Sequence, residues 1–212
     1  MHQPHPRHTS LTALIGLVGI SVLTGCTTPE HPAGPSRAAA PPVDIHAAPT
    51  DLKTTVFRGI TLPVAAQGPR QITGAVATGF ARTPAGAALA AIHATVRMSL
   101  ASDDQWDAVG QRMLAAGPQR QAWAIARAQK QLTTVEGARP PVIVGYRIAR
   151  YSPGRADTEI YSRQPDASLT CNAATVIWEA DDWKLLLPND SHAAPVTAPT
   201  VLPADMISLP IR

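Results

Sequence analysis

The side chains that could do chemistry in the centre of this chain are few: His93, Cys171, the acidic group Asp103, Asp104 and Asp107, and the pair Asp181-Asp182. A histidine could ligate a metal or shuttle a proton, but no second ligand stands at helical spacing from His93, and metal sites need several convergent ligands. It reads as a structural or surface residue. Carboxylates in the first turn of a helix complement its dipole, so Asp103, Asp104 and Asp107 read as capping residues before metal ligands. Asp181 and Asp182 fit a hairpin turn. A cysteine becomes a nucleophile only beside a base, and none is evident near Cys171. Phosphate loops, Cys-x-x-Cys pairs, His-Glu-x-x-His and Gly-x-Ser-x-Gly are all absent from the sequence. No catalytic residue, metal ligand or cofactor is therefore assigned, and the chain is expected not to be an enzyme. Trp106, Trp123, Trp178 and Trp183 remain as lining of a pocket or as core. Arg120, Arg127 and Lys130 lie on one side of a helical segment and read as a solvated face, or as a patch for a partner.

The other cysteine has a different setting. Leu23-Thr24-Gly25-Cys26 closes an uncharged run, Leu11 to Leu23, that follows an amino-terminal stretch whose one fixed charge is Arg7. The run is shorter than the roughly 20 residues a helix needs to cross a bilayer core, and matches the apolar part of a signal peptide. Leu23 to Cys26 resembles the lipobox of bacterial lipoproteins, where a signal peptidase cuts before a diacylated cysteine. The resemblance implies a signal peptide over 1–25, acylation of Cys26 (palmitate among the chains), and a location on the cell membrane facing outside the cytoplasm. Two or three acyl chains anchor firmly without a spanning helix. With Cys26 acylated, Cys171 has no partner within the chain and reads as a buried small hydrophobe.

Charge limits the partners. Loss of residues 1–25 removes Arg7 alone and lowers the formal charge from +3 to +2. An excess so small, with no Lys/Arg cluster, excludes a nucleic-acid footprint. Residues 26–51 are rich in Pro and Ala and show no helical or strand period, so they read as a disordered tether. The tail, 188–212, is also punctuated by proline, although Met206 to Leu209 is apolar enough to fold back.

One domain is expected between them, over 52–187. It opens with a short strand or extended arm, Thr54 to Ala66, and a flexible stretch, Gly74 to Gly79. Thr83 caps a helix with Pro84 in its first turn and Leu89, Ile92, Val96 and Leu100 on one face. Ser102 to Gln105 has the spacing of a capping box for a second helix, which buries Trp106, Val109 and Met113 and stops at Gly117-Pro118. A third spans about Gln119 to Leu132, with Ala122, Ile125, Gln129 and Leu132 on one side. Strands follow near 142–148, 157–163, 168–179 and 183–187. This order predicts an α+β fold, three N-terminal helices packed on one face of a curved antiparallel sheet.

Gly79 to Ala87, Val96-Arg97 and Val176 to Leu185 together resemble an uncharacterised domain of actinobacterial envelope proteins, a domain of unknown function associated with integrative and conjugative elements. The closing strand-turn-strand is similar to that of nuclear-transport-factor-2-like, cystatin-like cones. The resemblance implies a lipoprotein that acts as a non-enzymatic accessory or scaffold of an envelope assembly, conjugative transfer being the assembly indicated, with envelope or secretion-system proteins as partners. The alternative is a small-ligand-binding or isomerase-like domain built on a cone-shaped cavity. A cell-wall-binding module is the third reading.

Overall fold

A computed structural model of the chain describes residues 43–130, 139–189 and 196–210. The signal segment 1–25, the residues Leu23, Thr24, Gly25 and Cys26, most of the expected tether, and Leu132 lie outside the described residues. The tether's last residues pack on the domain: Ile45 rests against the core beside Leu52 of the domain itself, and Gln67 bonds Thr50 through both its amide groups.

Two antiparallel ribbons precede the first helix. Strands β1 (Lys53–Phe57) and β2 (Ile60–Val64) are joined by Arg58-Gly59, both at positive φ, the two-residue turn that matches strand twist. Strands β3 (Gln71–Thr73) and β4 (Val76–Thr78) turn at Gly74-Ala75, where a flexible stretch was expected. Helix α1 (Pro84–Leu100) starts as its sequence predicts, with Pro84 in the first turn and the Thr83 hydroxyl accepting from the Gly86 amide. Its first residues, Pro84 to Ala94, are buried on every side, because alanine and glycine let neighbouring elements approach all round.

Helix α2 (Trp106–Met113) buries Val109 and Met113. The capping box does not form: the Ser102 hydroxyl donates to the Gln105 side chain, and Gln105 stands at the N-cap without a side-chain bond. Gly117-Pro118, expected to end α2, instead opens α3 (Pro118–Ala128), with proline in the first turn. The expected apolar face of α3 is wrong as well, since Ile125 is 64% exposed and Arg127 is the buried residue of that helix.

The remaining strands form one antiparallel sheet. They are β5 (Val142–Ser152), β6 (Arg155–Arg163), β7 (Leu169–Glu179), β8 (Asp182–Leu186), β9 (Val196–Thr197) and β10 (Ile207–Ser208). The order is β10-β5-β6-β7-β8, with β9 also on β7. Tyr146, Thr158, Ile160, Ala174 and Val176 share the face that α1 covers, by register and burial, while Arg147, Glu159, Tyr161 and Cys171 share the other. The expected fold, three N-terminal helices on one face of the sheet in a nuclear-transport-factor-2-like or cystatin-like cone, is thus overturned. Four strands come before the helices, α1 lies across the sheet, and α3 packs on α2. Helical periodicity identified the segments but could not tell which neighbour each would meet.

The tail completes the sheet at both edges. Thr197 pairs with Cys171 on β7, Ile207 pairs with Tyr146 on β5, and Asp205 between them forms an ion pair with Arg147 at 3.6 Å. Gly145 makes the second junction close: a Cβ there would stand 2.5 Å from the Ile207 carbonyl oxygen and 2.8 Å from Met206 Sδ. Gly145→Ala should release β10 at a cost of about 1–3 kcal/mol. Limited proteolysis should then cut within residues 198–210 of the variant while the wild-type tail resists.

Candidate ligand-binding groove

The inner face of the sheet ends in side chains that do not reach α1. Ser162 at the end of β6, Gln164 just after it, and Thr170 and Asn172 at the start of β7, with Thr95 of α1, supply hydroxyls and amides to a groove of about 320 Å³. Ile92 and Val96 of α1, with Ile143 and Ile160 of the sheet, give it apolar walls. The Gln164 amide donates to the Thr170 hydroxyl at 2.9 Å, which leaves the Gln164 carbonyl and the Thr170 proton for another partner. Among the described residues no acid, base or thiol lines this space. The groove can therefore hold an uncharged ligand by hydrogen bonds over an apolar surface. It has no group to move a proton.

The titratable residues have other positions. His93 is fully buried: one ring nitrogen contacts the Pro63 carbonyl at 2.8 Å and Nδ1 accepts from Arg97 Nε at 3.2 Å. This pairing defines the neutral tautomer with its proton on Nε2. Burial drives the imidazole from 6.5 to about 3, against the Pro63 bond, and the Arg97 charge pushes the same way as burial. Arg97, 1% exposed, also donates to Gly74 and lies over the Phe57 ring at 4.6 Å, and burial lowers its pKa to about 10. Together the two residues join both ribbons to α1.

Asp182 is more than a turn residue. Ala180 and Asp181 occupy the two turn positions at positive φ, and the buried Asp182 carboxylate accepts from the amides of Gly79, Phe80 and Trp183. Beside it Lys184 donates to the Arg112 carbonyl at 2.6 Å, and burial lowers its pKa. Of the acidic group Asp103, Asp104 and Asp107, Asp103 pairs with Arg127 at 2.8 Å, and hydrogen bonding with Ser102 lowers the Asp104 pKa. Arg127 also donates to the carbonyls of Ala101 and Lys130, so Arg120, Arg127 and Lys130 do not form one solvated face. Among the described residues no three His, Cys, Asp or Glu side chains are placed to hold a metal.

Cys171 is buried on the face away from the groove, beside Tyr161, and burial raises its pKa. There Arg147 grips Glu159 with two bonds of 2.9 Å, Tyr161 donates to the same carboxylate, and the Glu159 bond raises the Arg147 pKa.

The four tryptophans form two separate pairs. Trp178 and Trp183 meet edge to face at 5.4 Å on the β7–β8 hairpin, where Trp183 is buried and donates to the Ala81 carbonyl. Trp106 and Trp123 meet at 5.8 Å between α2 and α3. None of the four lines the groove.

This helix, the two ribbons and the edge-sealed sheet coincide with a region shared among proteins: the match to Domain of unknown function (DUF8175) covers residues 23–203. The chain belongs to the DUF8175 family. That span opens at Leu23, inside the run ending at Cys26, and takes in every described element except β10. No curated protein and no solved structure matches the chain.

Sequence reasoning missed Arg97 and Asp182. The four-residue spacing from His93 to Arg97 was a local signal that the two could touch. Asp182 had none for Gly79 and Phe80, because those two amides lie over a hundred positions away. A histidine held neutral in the fold but protonated in the unfolded chain opposes folding in acid. The unfolded chain binds the extra proton below about 6.5 and the folded one only below about 3, so stability should fall as pH drops through that window by up to about 1.4 kcal/mol per unit. Urea unfolding of His93→Gln across the window should give a lower but flatter stability profile than wild type.

Proposed function

We propose that this protein is a membrane-anchored lipoprotein, held outside the cytoplasm by acyl chains on Cys26, whose domain is a non-enzymatic accessory or scaffold of an envelope assembly. The anchor is supported by the Leu23 to Cys26 run at the end of the apolar segment Leu11 to Leu23. The scaffold reading is carried by one observation: the buried imidazole, guanidinium, carboxylate and ammonium groups of His93, Arg97, Arg127, Asp182 and Lys184 are each bonded within the fold. Groups used in this way fix geometry and are not free to turn over a substrate. The assembly indicated by the sequence resemblance is a conjugative transfer machine of an actinobacterial envelope, with secretion proteins as partners. Among the described residues no helix is long and apolar enough to cross a membrane, so membrane attachment in this reading depends on Cys26. Cys26→Ala should move the protein from the membrane pellet to the soluble fraction, and persistence in the pellet would refute the anchor. Crosslinking in intact cells should recover envelope or secretion proteins with the wild type.

The groove supports a second reading, a binding module for a small uncharged molecule. Its uncharged lining favours binding over the isomerase-like chemistry that needs an acid or base. Ser162→Phe should fill the space and abolish any ligand-induced rise in Tm, with the free protein's unfolding still cooperative.

A further inference from the structure

Helix α3 is costly to hold in place for what it buries. Arg127 is its one buried residue, yet that guanidinium is bonded to Ala101, Asp103 and Lys130, leaves its Nε without a partner, and lies over the Trp106 ring at 5.9 Å. A second attachment is equally specific. Trp123 sits so close to α2 that a Cβ on Gly110 would stand 2.7 Å from its ring. These two contacts fix the walls of a cleft of about 130 Å³ between α2 and α3. Two half-buried indoles line it, together with Asp107, Gln111, Arg120 and Gln121. Gln111 donates to Asp107 at 2.8 Å, which holds one carboxylate oxygen and leaves the other for a donor. Among the described residues the Trp183 N–H is bonded to Ala81, whereas the hydrogen bonds found give the Trp106 and Trp123 N–H groups no protein acceptor, and neither is a buried orphan.

Half-buried indoles bordered by a carboxylate, two amides and a guanidinium suit a ring that has an apolar C–H face and a hydroxyl edge. Asp107 and Arg120 cancel in charge, which favours a neutral ligand. We propose that the α2–α3 cleft binds a neutral oligosaccharide, one pyranose ring packed on the indoles and its hydroxyls bonded to Asp107, Gln121 and Arg120. Because both walls are fixed before binding, little ordering entropy opposes it. The proposal goes beyond the scaffold reading and is independent of the acyl anchor and of the groove beneath α1.

The test titrates the full chain in detergent with chitohexaose, cellohexaose and maltohexaose, following tryptophan fluorescence and calorimetry. At least one sugar should give a saturable change with a Kd below about 1 mM. Asp107→Ala and Gln121→Ala, both at exposed positions, should each weaken binding by about tenfold with Tm unchanged. Trp123→Phe should remove most of the fluorescence response, and Ser162→Phe should leave binding intact. Absence of a saturable change with all three sugars overturns the proposal. So does binding that Asp107→Ala and Gln121→Ala leave untouched, or that Ser162→Phe abolishes.

Discussion

The burial of Arg97 is the interaction on which the arrangement of this domain depends. A guanidinium removed from water needs its donors satisfied, and here they reach the His93 ring and the Gly74 carbonyl while the plane rests on Phe57. Phe57 belongs to the first ribbon, Gly74 to the second, and His93 and Arg97 to α1, so one charge ties three elements together. Among the described residues no carboxylate pairs with it. The charge is held by π density, a carbonyl dipole and a neutral imidazole, an arrangement that requires His93 to stay unprotonated. Histidine at this position therefore acts as an acceptor, and its burial is the reason it can.

The same logic of distant closure governs the sheet. β7 is long enough to carry β8 on one half of its edge and β9 on the other, while β10 sits on the free edge of β5. The loop after α2 adds to the seal, with Leu114 bridged to Leu185 of β8. Edge segments covered in this way do not invite other chains to pair with them. Asp182 contributes from within β8, drawing the segment before α1 onto the sheet through two amides of Gly79 and Phe80.

Two concave surfaces of the domain are uncharged or nearly neutral. The groove beneath α1 offers hydroxyls and amides, and the cleft between α2 and α3 offers indoles with one charge of each sign. Both favour recognition by shape and hydrogen bonding over electrostatic steering.

The sequence by itself determined the local events. Thr83-Pro84 started α1 and alternation marked β5 to β8, because each of these depends on neighbours a few positions apart. Pro63 and two glycines hid the ribbons, since a proline and positive-φ residues read as breaks unless the facing strand is known. Ile125 and Arg127 exchanged their expected places for a similar reason: periodicity defines a stripe, and only the partner decides whether that stripe is buried. Tertiary structure alone decided that His93 accepts from a buried Arg97, that Asp182 receives amides from Gly79 and Phe80, and that the tryptophans separate into two pairs. The Asp182 contacts join residues about a hundred positions apart, and although His93 and Arg97 share α1, their burial is set by the ribbons packed on them, which no local pattern records.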